Sequence, residues 1–400
     1  MDSTLGRVAV DTRSTRALAP DLARGSMLAL IAVANVMIYL HDRPYGLRQH
    51  IVEDGTADRI ASAVIATSVD GRAYPLFAAL FGYGMVRIAQ RQRSREGDPA
   101  QAVAVLRRRS RWLILLGLAH AAIGFSGDIL GWYGLLGLLL ASRLVVSDRT
   151  LLRWAAGWLV VASLIQGFIY SDPQVRDQRS FFWSFAIDDP VHAARWRLAE
   201  WLMTPFGLLS VVSAMLVGIW AGRRRLLENV GTHRTLLRRT AAIGIGAGLV
   251  GGIGMALATV HLWQPPDPVL LVASWLHVLT GVLCGLGYAA ALALLAARIE
   301  EQYAAGLPRV VSALRATGER SLSCYLAQTL VFVALLPAWT LGLGASLGTV
   351  QATGLALATW LLTVLAADRL AQHGRRGPAE ALLSGLVYPS RRASAHATIQ

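Results

Sequence analysis

Ten apolar stretches, most of them long, divide this chain, and polar residues collect in the gaps between them. They run Leu22–Leu40, Tyr74–Ile88, Trp112–Phe125, Ile129–Val146, Leu151–Tyr170, Met203–Ala221, Ala241–Leu262, Val269–Ala297, Ser321–Trp339 and Val350–Leu370. A helix needs roughly 20 mostly apolar residues to cross a bilayer. The pattern therefore predicts an all-α, polytopic integral membrane helix bundle of about ten transmembrane helices, with the second and third spans short. Gly127-Asp128 reads as a turn that keeps the third and fourth spans apart. The expected organisation is a cytoplasmic segment over 1–20, a bundle over 21–370 and a cytoplasmic tail over 371–400.

Charge orients this bundle. All 38 basic residues are arginine, and they fall almost entirely in every second gap. With the N-terminus inside, about 30 of the 38 lie on the cytoplasmic side, while the acidic residues divide evenly. Cytoplasmic loops retain Arg and Lys, so both termini are expected inside and the number of spans is expected to be even. The expected location is the cytoplasmic (plasma) membrane of a bacterium, in contact with its lipids.

Composition narrows the function classes. The chain is 54% hydrophobic and 16% charged, against about 25% charged in a soluble domain. The net charge of +14 does not point to nucleic acid, because the arginines lie between spans and not on one continuous basic face. Two cysteines, Cys284 and Cys324, exclude a disulfide framework, and no metal-ligand spacing surrounds them. No cofactor or metal is expected. Walker, dinucleotide-binding, nucleophile-elbow and zinc-protease motifs are missing. Gly244, Gly248 and Gly252 recur every four residues within one span, which suits close helix packing.

Polar residues within spans are costly and face a cavity or a partner. Counted by depth, Asn35, His120, Asp128 and His277 share a level near the outer leaflet, with His41 and His261 at outer span ends. His120 and Asp128 flank one tight hairpin and are expected to be neighbours, with His120 as a base and Asp128 orienting it. Asn35 is placed to hydrogen-bond a substrate or a developing oxyanion. At the opposite level, Asp21 and Arg24 are spaced for a local pair.

Several of these residues lie in recognisable motifs. Asp21-Leu22-Ala23-Arg24-Gly25, then Asn35, resembles the opening of the YeiB-like bacterial membrane proteins, a family of unknown function. Leu76-Phe77-Ala78-Ala79-Leu80-Phe81-Gly82-Tyr83-Gly84 is similar to that family's second span. Gly117-Leu118-Ala119-His120, Gly127-Asp128-Ile129-Leu130 and Tyr133 resemble its third and fourth. Gly318-Glu319-Arg320-Ser321-Leu322-Ser323-Cys324-Tyr325-Leu326-Ala327-Gln328 and Gly377-Pro378-Ala379-Glu380, with Tyr388, resemble its C-terminal motifs. Cys324, Ala381 and Ser384 depart from the usual Asn, Trp and Arg. The first two motifs also resemble a wider superfamily of membrane acyltransferases. That likeness implies an acyl-CoA-type co-substrate on the cytoplasmic side and an extracytoplasmic acceptor. It casts His120 and Asp128 as catalytic, Asn35, Tyr133 and His277 as substrate-binding and Arg24 as donor-binding. The superfamily's catalytic-histidine motif is not intact in this chain. A solute transporter or a non-catalytic scaffold would fit the same polar layer.

Overall fold

The computed structural model describes residues 17–172, 179 and 181–388. The terminal stretches 1–16 and 389–400, which the sequence reading placed on the cytoplasmic side, lie outside the described residues. Among the described residues the regular structure is helical, relieved by one isolated bridge between Tyr45 and Ile51.

The helices are α1 (Leu18–Ile38), α2 (Thr56–Ser68), α3 (Ala73–Glu96), α4 (Pro99–Ile123), α5 (Ile129–Leu140), α6 (Asp148–Ser171), α7 (Pro190–Gly207), α8 (Val211–Arg223), α9 (Arg234–Thr259), α10 (Asp267–Gln302), α11 (Arg309–Glu319), α12 (Ser321–Leu335), α13 (Thr349–Gln372) and α14 (Pro378–Val387). Five of them, α1, α6, α9, α10 and α13, are long and apolar enough to cross a membrane. A sixth candidate is the pair α7 and α8, bent by 63° at their junction. The short second and third apolar stretches belong to helices of 24 and 25 residues, α3 and α4, whose adjoining ends carry arginines.

The bundle is assembled through small residues. A Cβ on Gly25 would stand 2.1 Å from the carbonyl oxygen of Leu314, and one on Gly318 would stand 1.8 Å from that of Asp21. The first and last groups of motifs therefore meet where α1 crosses α11. The glycine stripe of α9 packs as expected. Gly244 and Gly248 face Leu283 and Cys284 of α10, and Gly252 leaves room for the guanidinium of Arg72.

The structure revises two parts of the sequence reading. Residues 378–387, within the stretch read as a tail, form a helix packed through Leu383 and Val387 against Leu113 of α4. Glu380 ties it to α12, accepting from the backbone N–H of Leu322 (2.8 Å) and Ser323 (3.2 Å). A carboxylate at a helix N-terminus satisfies orphan donors and complements the dipole. The apolar run Met203–Ala221 is likewise broken, because Pro205 and Gly207 end α7 before α8 begins. Side chains take up the polar groups of the break. Gln166 donates to Gly207 O (2.5 Å) and accepts from Ser210 N (3.0 Å), while Trp158 donates to Leu209 O (2.8 Å). Gln166→Leu strips two of these bonds, one of them from the buried N–H of Ser210. It is expected to cost about 1–3 kcal/mol, read by SDS-induced unfolding of the detergent-solubilised protein; an unchanged midpoint would show that the break is held otherwise.

Candidate functional site: two cavities on either side of a tyrosine partition

The His120–Asp128 pair forms as the hairpin predicts. Asp128 is the N-cap of α5, accepting from Gly131 N (2.8 Å), and its other oxygen pairs with His120 Nδ1 at 2.8 Å. Gly117 permits this approach, since a Cβ there would sit 2.4 Å from the Asp128 carboxylate. The remaining His120 nitrogen meets Thr329 Oγ1 at 2.9 Å. Both ring nitrogens are thus engaged, and the imidazole is buried against the rings of Tyr325 and Phe125.

Asn35 lies elsewhere in the same layer. Its Oδ1 accepts from Tyr74 (2.8 Å), and Tyr133 donates to the Tyr74 carbonyl (2.9 Å). His277 is brought to neither group. It is fully buried beside Arg72, whose Nη1 lies 3.0 Å from His277 Nε2 while Nη2 donates to Gly248 O (2.9 Å). His277 therefore helps to fix a buried guanidinium by accepting from it. His41 is also consumed, by Asp42 (2.8 Å) and the Leu336 carbonyl (3.1 Å).

Two cavities flank the Tyr74–Tyr133 contact. One, of about 310 Å³, lies at the arginine-rich end and is lined by Arg24, Arg87, Arg91, Arg109, Tyr133 and Tyr325, among others. Arg24 pairs with Asp21 (3.1 Å), as its spacing predicts, and Arg87 with Glu228 (2.6 Å). Arg109 has no ion-pair partner among the described residues. It rests 5.2 Å from the centroid of Phe81, and burial together with the charge of Arg24 pulls its guanidinium down to about 10. Asp21, Glu228, Glu319 and Glu380 also line this cavity, so its attraction for anions rests on Arg109 and not on net charge.

The other cavity, of about 180 Å³, lies at the opposite end, next to the α7–α8 break. Its wall includes Arg48, His50, Asp70, Tyr74, Gln166 and Tyr170. His50 Nε2 is 2.6 Å from Asp70 Oδ2. Burial would raise the Asp70 carboxyl, but His50, Arg48 and Arg72 outweigh it and hold the group below its ordinary value. The segment carrying His50 is strained: Arg48 (φ 58°) and Gln49 (φ 65°) are consecutive non-glycine residues in the left-handed region. Such conformations cost on the order of 1–3 kcal/mol each and collect at functional sites.

Sequence reasoning missed His50, Asp70, Arg48 and Arg109. The first three come from loops around α2, twenty-two positions apart at most, with no motif linking them; Arg109 is one of eight arginines in its gap. Among the described residues no group of three or more His, Cys, Asp or Glu is placed to hold a metal ion.

The C-terminal motifs that meet α1 lie in a stretch that is similar to a known family. Residues 221–390 match the family described as protein of unknown function DUF418. This agrees with the YeiB-like resemblance. The chain is also similar to the uncharacterized protein YxaH of Bacillus subtilis (strain 168), at 29% identity over 224 residues. That similarity covers 50% of this chain and 53% of the relative, so the chain spans about half the length of the curated relative it matches. The DUF418 match takes in α9 to α14, whereas His50, Asp70, Arg109, His120 and Asp128 precede it.

Because the folded Asp70 pKa is depressed, its ionised form stabilises the fold above the unfolded value near 4. That contribution is lost as pH falls through the lower folded value. Melting curves between about pH 3 and 6 should show the loss, and Asp70→Asn should flatten it.

Proposed function

We propose that this protein is a transmembrane acyltransferase of the bacterial plasma membrane, moving an acyl group from a cytoplasmic acyl-CoA-type donor to an extracytoplasmic acceptor. The observation that carries this reading is the pair of cavities on opposite sides of one tyrosine contact, the larger of them bordered by arginine. The ten apolar stretches each coincide with helix, and the sorting of arginines supports ten crossings with both termini inside. The arginine-lined cavity then faces the cytoplasm, where a phosphate-bearing donor is found. Arg109 and Arg24 hold its anionic end, since guanidinium groups suit phosphate oxygens. Asn35 sits at the partition with its Oδ1 taken by Tyr74, which aims its amide nitrogen as the donor to a thioester oxyanion. His120, fixed by Asp128 and Thr329, sets the Tyr325 ring that walls the donor cavity.

A small-solute transporter is the second reading. The α7–α8 break beside the loop-end cavity favours it, because broken helices build transport sites. Solute flux through proteoliposomes without acyl transfer would support transport over catalysis. A scaffold has no use for either cavity.

Three substitutions test the main reading. Arg109→Met removes a half-buried charge without an ion-pair partner among the described residues, so it is expected to leave thermal stability equal or higher while weakening acetyl-CoA binding at least about tenfold. Asn35→Ala is expected to lower kcat for thioester cleavage by about 10²–10³. His120→Ala should lower both stability and turnover. Acetyl-CoA binding by calorimetry that is indifferent to Arg109→Met would remove the donor assignment.

A further inference from the structure

The cavity next to the α7–α8 break contains a dyad built like a general base and its orienter. His50 is buried, and Nε2 is directed at Asp70 at 2.6 Å. A carboxylate there keeps the imidazole proton on Nε2 and leaves the lone pair on Nδ1. Among the described residues Nδ1 has no hydrogen-bond partner, in contrast to His120, whose two nitrogens are both committed. Arg48 lies over the Tyr170 ring at 4.2 Å and only 3.9 Å from Asp70, and its buried Nε–H makes no hydrogen bond. The left-handed backbone at Arg48 and Gln49 turns this segment along the cavity wall. Asp70 is itself followed by Gly71 in the left-handed region (φ 70°). Base, orienter and a cation with an unbonded N–H thus converge on one space.

We propose that this cavity is the acceptor site and that His50, oriented by Asp70, is the catalytic base for a hydroxyl-bearing acceptor, with Arg48 hydrogen-bonding an acceptor oxygen. The assignment rests on the acyl-transfer reading and adds its second half. His50 Nδ1 takes the hydroxyl proton as the acceptor oxygen attacks the thioester carbonyl. The C–S bond breaks, the thiolate leaves, and the imidazolium returns the proton to sulfur. An ester and a free thiol result, and His50 ends neutral. At about 180 Å³ the cavity is below the usual range for drug-sized ligands, so it takes a small acceptor or one end of a larger one.

The test uses the full chain in nanodiscs, acetyl-CoA as donor, glycerol or water as acceptor, and free thiol as the readout. His50→Gln is expected to lower kcat by about 10²–10⁴, with KM for acetyl-CoA within about twofold. Asp70→Asn is expected to lower kcat less. It should leave KM for acetyl-CoA within about twofold, the split expected of a group that acts through His50. Melting temperatures check that each variant folds. His50→Cys adds a readout that needs no turnover. The native Cys284 and Cys324 are buried, so a membrane-impermeant maleimide added outside the cell should label the new thiol alone. Turnover that survives His50→Gln, or labelling only from the cytoplasmic side, overturns the assignment of His50 while leaving acyl transfer standing. A complete lack of turnover in the unaltered protein overturns acyl transfer itself and this proposal with it.

Discussion

Irregular backbone can lie among apolar helices only where side chains accept and donate its hydrogen bonds. Most of this structure's unusual features at one end follow from that constraint. The α7–α8 break is held by Gln166, Trp158 and Tyr170; the turn before α3 is held by Arg72; and the carbonyls ending α1 are held by Arg179, which donates to Ile38 (2.6 Å) and Leu40. Glu200 does the same for Ser184, accepting from its N–H (2.9 Å) and hydroxyl (2.6 Å). Polar side chains buried for this purpose keep the chain from closing into a dry bundle. The loop-end cavity forms among them.

The arginine-rich end is organised differently. There the helices are regular and approach through glycine, and charge lies on the walls of a space between them. Gly25 and Gly318 bring α1 onto α11, and Glu380 closes α14 over the start of α12. These contacts explain why several motifs that resemble one family look unrelated along the chain. They are adjacent in the fold and hold one another.

The elements legible in the sequence were those written in local periodicity. Each apolar stretch but Met203–Ala221 fell mainly on one helix, the glycine stripe of α9 packed against α10, and the hairpin brought His120 to Asp128. The break at 207–210 was hidden because the apolar run continues through it; Pro205 and Gly207 were the available signal. α2, α11 and α14 were hidden because they are short and do not need to be uniformly apolar. His50 and Asp70 were hidden for a topological reason. They meet only because α2 carries the chain out and back, and nothing in the composition of either loop records that return. Depth alone grouped Asn35, His120 and His277, but depth does not tell which side of the bundle a residue faces. His277 turned toward Arg72 instead.

The slot that Gly252 leaves for Arg72 has a consequence for motion. The guanidinium enters between α9 and α10 and bonds to the carbonyl of Gly248 while lying against His277. Sliding either helix by one turn would drive the charge into side chains and strand it without an acceptor. This pair is therefore a fixed wall. Any rearrangement that joins the two cavities falls to the helices on the other side, where α7 and α8 already meet at an angle and a handful of side-chain hydrogen bonds set the hinge.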